Sequence, residues 1–436
     1  MKKKISYDDA IQYLYGLQKY GIKFGLSKTS NLLNAFGNPH HGQKYIHVAG
    51  TNGKGSVAAM VESILLRSGL KVGFYSSPHL VRFTERFRIN AQEIIPEEAA
   101  VIAGEVMSMI DPRHPPTFFE VTTAMALIHF ARQKTDISIM EVGMGGRLDA
   151  TNVIRPTVTV ITNISLEHRF FLGTHLRDIA REKAGIIKRG VDLITAATQA
   201  PVVEIFKRTC ERKKAPFWRI GKEIRYRRSG LTFNYYGLKR HFSKLELGLS
   251  GGYQSRNAAL ALAVVELLER KGFEVSYDDI REGLRHANWP GRMHIVSTDP
   301  FLVLDGAHNP AAIRHLADSL RSGFQYRRLI LVLGVMGDKD IRKILRGIVP
   351  IADYVIYTRP EYYRAATPET LMKEAASLGK PGETRPQISR ALRKAREIAD
   401  PKDLILVTGS LFTVGEALTC LDPERYRPDN IRQVIP

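Results

Sequence analysis

Apolar and polar positions along this chain fall into two alternating rhythms. Short apolar runs of strand length recur at "KYIHVA" (44–49), "KVGFYS" (71–76), "ISIMEV" (137–142) and "VTVITNI" (158–164). Stretches of helical period, such as "EEAAVIAGEVMSMI" and "TTAMALIHFARQ", lie between them. This alternation predicts a largely parallel sheet with helices on both faces. Ligands of such sheets sit beyond the carboxyl ends of the strands. The turn-forming "NWPGRM" at 288–293 breaks the series. The rhythm then restarts at "FLVLD" (301–305), "RRLILVLGVM" (327–336), "ADYVIYT" (352–358) and "DLILVTG" (403–409), each followed by a helical pattern. The expected architecture is α/β: a mostly parallel sheet domain over 1–293 and a smaller α/β domain over 294–436.

Length agrees with that division, since 436 residues exceed one ordinary core. Apolar residues at 44% and charged residues at 25% are the balance of a soluble globular protein. "MKKKISYDDAIQYLYGL" is interrupted by Asp8, Asp9 and Gln12, so no secretory apolar core forms. The longest apolar stretch, "AALALAVVELL", is cut by Glu266 and is too short to span a bilayer. Cys210 and Cys420 lie far apart without C-x-x-C spacing, which argues against a disulfide framework or thiolate metal site. The expectation is a cytoplasmic protein with free thiols and no membrane partner.

Net charge changes the picture in one place. The formal charge is +20, and residues 207–244 hold 13 Lys or Arg against Glu211 and Glu223. That segment alternates basic and aromatic residues like antiparallel strands, a β-rich insertion at about 215–250. It reads either as the solvated face of a small sheet or as a polyanion site, and steering of an anionic substrate would also suit it. No RNA-binding motif accompanies it.

Candidate chemistry gathers at the strand ends. In "HVAGTNGKGSV" a strand, a Gly-rich turn and a helix expected from Ser56 have the logic of a P-loop. Gly50, Thr51, Asn52, Gly53 and Gly55 would let backbone N–H groups approach phosphate, while Lys54 and Ser56 reach terminal phosphate and metal. The spacing is shorter than the usual P-loop and adds a glycine after Lys54, so an ordinary tight turn stays open. Glu141 ends an apolar strand on the face of Ile137 and Ile139, where a carboxylate is costly to bury without a cation. It is either a metal ligand or a strand-end group reaching solvent. His168 follows the next strand in the same way, a ligand or a plain loop histidine. In "LRDIAREKAGIIK" Lys183 falls on the apolar stripe with Ile179, Ala180 and Ile187. It is either a buried amine of lowered pKa or a snorkelling side chain. Asp305 and His308 in "VLDGAHNP" end another strand, with Asn309 as a helix cap.

Together with "YSSPHLVRFTERFRIN", "FFEVTTAMAL", "EVGMGGRLDATN", "EHRFFLGTHLRDIAREKAGIIK", "NWPGRM" and "TGSLFTVGE", these motifs follow the order found in folylpolyglutamate synthases and dihydrofolate synthases. The chain resembles that branch of the Mur ligase superfamily over essentially its whole length. The resemblance implies an ATP-dependent amide ligase with a P-loop-type N-terminal domain, a Rossmann-like C-terminal domain and a cleft between them. Ser56 and Glu141 would coordinate magnesium, with His168 on a second metal position that manganese also suits; nothing is implied of a monovalent cation. Lys183 matches the lysine that the family carboxylates with carbon dioxide, so that a carbamate joins the metal ligands. Asn257, Arg292, Asp305 and His308 match nucleotide or cleft positions. His79, Arg82, Phe119 and Asp149 fall in segments that shape the pterin side, with Ser410 also on the substrate side. Lys54, Lys183, His168 and Arg292 would carry catalysis. Three residues depart from the family's habit: Tyr253 stands where histidine is common, His294 where an acid is, and Glu167 where aspartate is. The implied partners are small molecules (ATP, L-glutamate, and dihydropteroate or a reduced folate), with a monomer and no nucleic acid expected. A muropeptide ligase and a basic P-loop ATPase acting on nucleic acid are the competing readings.

Overall fold

Tyr45–Ala49 is buried at every position, as an apolar run with neighbours on both faces must be, and it lies inside an eight-stranded sheet. The structure, a computed structural model, describes residues 5–21, 23–230 and 232–430. The strand order is Gln92–Glu93, Phe87–Ile89, Val72–Tyr75, Ile137–Glu141, Tyr45–Ala49, Val158–Ile161, Asp192–Thr195 and Phe217–Arg219. Six of these run parallel, and Phe87–Ile89 and Gln92–Glu93 form an antiparallel edge. One face of the sheet is covered by helices Lys54–Arg67 and Gln254–Glu269, the other by Tyr7–Gly16 and Phe118–Arg132.

Two expectations need correction here. The P-loop helix begins at Lys54 rather than Ser56, because Gly53 takes φ +87° and already occupies the cap position. The basic segment is not antiparallel throughout. Residues 207–213 close the helix Ala200–Lys213, whose Val202, Val203, Phe206 and Cys210 are buried at helical spacing while Arg208, Arg212 and Lys213 stay wet. Phe217–Arg219 then extends the large sheet in parallel, and only residues 225–246 form a three-stranded antiparallel sheet. That small sheet buries Phe233, Tyr235, Phe242 and Leu245 against helix Gln254–Glu269 and leaves Arg225, Arg227 and Arg228 exposed. Glu266, the charge inside the long apolar stretch, accepts from the Tyr235 hydroxyl at 2.6 Å and from the backbone N–H groups of Leu238, Lys239 and Arg240. A buried carboxylate with four donors is satisfied, and it pins the turn of the insertion.

A second sheet starts at His294 and has the order His294–Thr298, Phe301–Asp305, Leu404–Thr408, Leu329–Leu333, Tyr354–Tyr357 and Gly382–Thr384. All its pairings are parallel except the first. The two domains touch where strand ends meet: Asn52 bonds Asn309 and Glu167 bonds His308. Among the described residues no helix is long and apolar enough to cross a membrane.

Candidate active site

The turn after Tyr45–Ala49 is shaped by what its glycines exclude. Gly50 sits at φ +144°, and a Cβ there would lie 1.9 Å from the Thr162 hydroxyl oxygen. A Cβ on Gly53 would lie 2.6 Å from Asn257 Oδ1. The unexpected third glycine, Gly55, has a different reason: the Trp289 indole lies against it, 2.6 Å from the place a Cβ would take. Thr51 and Asn52 donate their N–H groups to Asn163 at 2.9 and 3.1 Å, so they shape the loop from within. The N–H groups left for an anion are those of the first helical turn from Lys54.

Above that turn lies an interdomain cavity of about 170 Å³. Its wall contains the loop from Gly50 to Ser56 together with Glu141, His168, Lys183, Asn257, Arg292, Asp305 and His308. Lys54 Nζ reaches the Gly50 and Thr51 carbonyls at 3.3 and 3.4 Å and stands 3.9 Å from Glu141 Oε1. Burial pushes the Glu141 carboxyl up, against the pull of Lys54 and of the Ser77 N–H at 3.3 Å. Lys183 is buried rather than snorkelling and donates to the Gly50 carbonyl at 3.0 Å. Burial, reinforced by the Lys54 charge, brings its amine down to about 7. Burial likewise lowers His168 to about 4. Burial alone would raise the Glu167 carboxyl, but the His308 hydrogen bond at 3.2 Å and the nearby cations hold it well below the usual range.

Among the described residues no group of three or more His, Cys, Asp or Glu gathers to hold a metal ion. Ser56, Glu141, His168 and Lys183 nevertheless line one cavity. This donor set, two hard oxygens and an imidazole with phosphate oxygens still to come, fits a divalent cation shared with a polyphosphate.

The substrate-side residues are divided. His79 and Arg82 line a second cavity of about 330 Å³ that shares Ser77, Glu141 and Arg292 with the first. Arg82 is not free to bind there: it grips Glu93 at 3.0 and 2.5 Å and the Arg425 carbonyl at 2.9 Å, so it clasps the two domains. Asp149 lines neither cavity, because both its oxygens order the glycine loop, accepting from Met144 N, Thr151 N and the Thr151 hydroxyl. Phe119 packs on Gly143 and Tyr75 outside both cavities, and Ser410 caps helix Leu411–Leu421 through Thr413 N at 3.0 Å.

Sequence reasoning missed Arg86. It is 6% exposed, donates to His79 Nδ1 at 2.9 Å and lies 5.0 Å over the Phe118 ring, with no carboxylate in ion-pair range among the described residues. A buried cation without its anion is costly, and Arg86 carries that cost behind His79, without lining any of the cavities itself. Three arginines in "RFTERFRIN" gave no sign of which one lay inside. A third cavity, about 880 Å³, opens at Glu167, His168 and His308 and is lined by Phe170, Phe171, Arg314, Lys339 and Lys343.

Comparison with known proteins bears on the family and the fold. Residues 48–265 match the Mur ligase middle domain, and 291–411 match the Mur ligase glutamate ligase domain. The chain is 31% identical to the dihydrofolate synthase/folylpolyglutamate synthase of Bacillus subtilis, covering 94% of this chain and 98% of that one. It is 34% identical to a probable bifunctional folylpolyglutamate synthase/dihydropteroate synthase of Haloferax volcanii, where it matches with 95% of its own residues but spans only 50% of the relative's length. The solved structure of Escherichia coli FolC in complex with DHPP and ADP superposes with a TM-score of 0.89 at 34% identity, covering 97% of this chain and 100% of that one.

Proposed function

Because this chain belongs to the dihydrofolate synthase/folylpolyglutamate synthase family of Mur-type ligases, we propose that it uses ATP to join the amine of L-glutamate to a carboxylate of dihydropteroate, of a reduced folate, or of both. The observation that carries this reading is the meeting of three cavities at one cluster: the first and second share Glu141 and Arg292, the first and third share Glu167, His168 and His308. Three substrates have to converge on one reacting centre, and this arrangement allows it. The names of the relatives favour a pteroyl acceptor over a muropeptide.

A carboxylate does not react with an amine at neutral pH, since hydroxide leaves poorly. Attack of the acceptor carboxylate on the γ-phosphate of ATP gives an acyl phosphate and ADP; the glutamate amine then attacks the acyl carbon and expels phosphate. The first step calls for charge neutralisation and alignment, which the N–H groups of the P-loop helix, Lys54 and Arg292 supply. Ser56 and Glu141, with His168 and a carboxylated Lys183 at a second position, would hold a divalent cation, magnesium or manganese, that neutralises phosphate charge. The third cavity, with Arg314 on its wall beside the Lys339–Asp338 and Lys343–Asp340 pairs, suits an amino acid that carries two carboxylates and an ammonium. Closure of the two domains on the substrates would exclude water, which would otherwise hydrolyse the acyl phosphate.

Arg86, which backs the cavity-lining His79 rather than lining the cavity itself, is assigned a positioning role toward the acceptor's carboxylate end. Arg86→Ala is expected to raise the acceptor KM about 10- to 100-fold, the worth of a hydrogen bond to a charged group, with the nucleotide KM unchanged. Steady-state kinetics with each substrate varied in turn checks it. The function itself is tested by ATP-dependent incorporation of labelled L-glutamate, with dihydropteroate and tetrahydrofolate in separate reactions. Incorporation into either bears the reading out and names the acceptor; a blank in both overturns it.

A further inference from the structure

The last described residues of the second domain cross to the first. After helix Leu411–Leu421 the chain turns at Asp422, whose side chain accepts from Arg425 N at 3.1 Å and whose carbonyl accepts from Tyr426 N at 2.9 Å. Thr419 donates its hydroxyl to the Tyr426 carbonyl at 3.0 Å, and the Tyr426 ring is buried in the second domain's core. A tail rooted in this way has a fixed course. It carries Asp429 to the first domain, where the carboxylate accepts from Phe83 N at 2.7 Å and from the Tyr7 hydroxyl at 3.0 Å. On the way Arg425 and Tyr426 line the second cavity.

The tail completes a loop that its own domain leaves one acceptor short. Four consecutive N–H groups, from Leu80 to Phe83, are taken by carboxylates. Glu85 accepts from Leu80, Val81 and Arg82 at 2.7, 2.9 and 2.8 Å, and Asp429 accepts from Phe83. Phe83 opens the short turn Phe83–Arg86, and its buried ring meets those of Tyr15, His79 and Phe118. The same cluster seats the cavity-lining His79 and, behind it, Arg86. Leu80 and Val81 pack on the second domain's core, and a Cβ on Gly415 would lie 2.1 Å from the Leu80 carbonyl oxygen. The loop is therefore held from both domains. The phosphate-binding turn is braced from the first domain instead, by Asn163 and Thr162.

We propose that Asp429 is a positioning residue for the acceptor: delivered by the second domain, it fixes the turn that carries His79 and Arg86, so that acceptor affinity depends on the docked tail and nucleotide affinity does not. The inference rests on the reading of the second cavity as the acceptor's. A carboxylate is a stronger acceptor than a neutral group. Without it the Phe83 N–H is left unpaired beside an apolar cluster, and the turn gains a reason to move.

Steady-state kinetics of the full chain with acceptor and ATP varied in turn, joined to hydrogen exchange of the segment 80–86, tests this. Asp429→Ala is expected to raise the acceptor KM about tenfold, the scale of one hydrogen bond to a charged group, with the ATP KM unchanged. Asp429→Asn keeps an oxygen for Phe83 N and should recover most of the native value. Tyr7→Phe, which leaves the Phe83 bond in place, should stay near it. Exchange in 80–86 should quicken in Asp429→Ala alone, while that of the phosphate-binding turn holds. A folded Asp429→Ala with the native acceptor KM, or with native exchange in 80–86, overturns the inference and leaves the ligase reading intact. An equal rise in the ATP KM also overturns it, since the contact would then be a general clasp between domains. A native chain that ligates glutamate to neither dihydropteroate nor tetrahydrofolate would remove the functional reading and this inference together.

Discussion

Lys183→Ala is expected to lower kcat for glutamate ligation by about 10³-fold, the scale of losing one preorganised electrostatic group at a reacting centre. The native amine is buried, brought down to about 7 by burial and Lys54, and fixed to the Gly50 carbonyl at 3.0 Å. It is thus held against the phosphate-binding turn in a state open to carboxylation. The thermal midpoint should hardly fall, because the substitution removes a buried cation with no ion-pair partner among the described residues. Single-turnover kinetics and a melting curve separate the two quantities. A small carboxylic acid added to Lys183→Ala should restore part of the rate if the native group acts as a carbamate; rescue by a small amine would instead assign the role to the ammonium. Ligation at the native rate would remove Lys183 from the mechanism.

Lys54→Ala is expected to cost a similar factor of about 10³ in kcat, on its proposed role of neutralising the γ-phosphate. It carries a second, structural signature. Lys54 opposes the burial that pushes the Glu141 carboxyl up, so its removal raises that carboxyl further. A carboxyl whose folded pKa exceeds its unfolded value binds more protons when folded, so stability falls as pH rises between the two values. The window opens at the ordinary glutamate range of about 4.3 and extends to the raised value. Melting temperatures measured from acid to neutral pH should therefore decline more steeply for Lys54→Ala than for the native chain. Parallel curves would mean that Lys54 does not stabilise the Glu141 carboxylate.

Arg86 and Arg82 show why a candidate site is only partly legible in sequence. Both lie in "RFTERFRIN", and the substrate role was expected of Arg82. The fold gives Arg82 the Glu93 carboxylate and, from the far domain, the Arg425 carbonyl, and gives Arg86 the Phe118 ring and the His79 imidazole with no anion. Which of two arginines four residues apart is paired depends on the position of Glu93 on an adjacent edge strand and of Arg425 in the other domain. No local pattern encodes either. Asp149 and Ser410, placed on the substrate side by the family resemblance, show another side of the same limit: their oxygens bond nearby backbone N–H groups, which the resemblance did not indicate.

By itself the sequence determined eight inner strands, four in each large sheet, several helices and the glycine-rich turn, because apolar period and glycine placement act over a few neighbouring residues. It also put Lys183 on an apolar stripe and Glu141 at a strand end, since both follow from spacing alone. Tertiary structure decided the rest. It made the basic segment part helix, part edge strand and part antiparallel sheet, according to which apolar face had a partner to bury against. It explained Gly55 by Trp289, from the segment that joins the two domains, and brought Glu167 to His308 across the interdomain cleft. The first group of features is fixed by local periodicity; the second rests on contacts between residues distant along the chain, 31 positions apart for Tyr235 and Glu266 and 141 for Glu167 and His308, whose energies exist only once the chain has closed on itself.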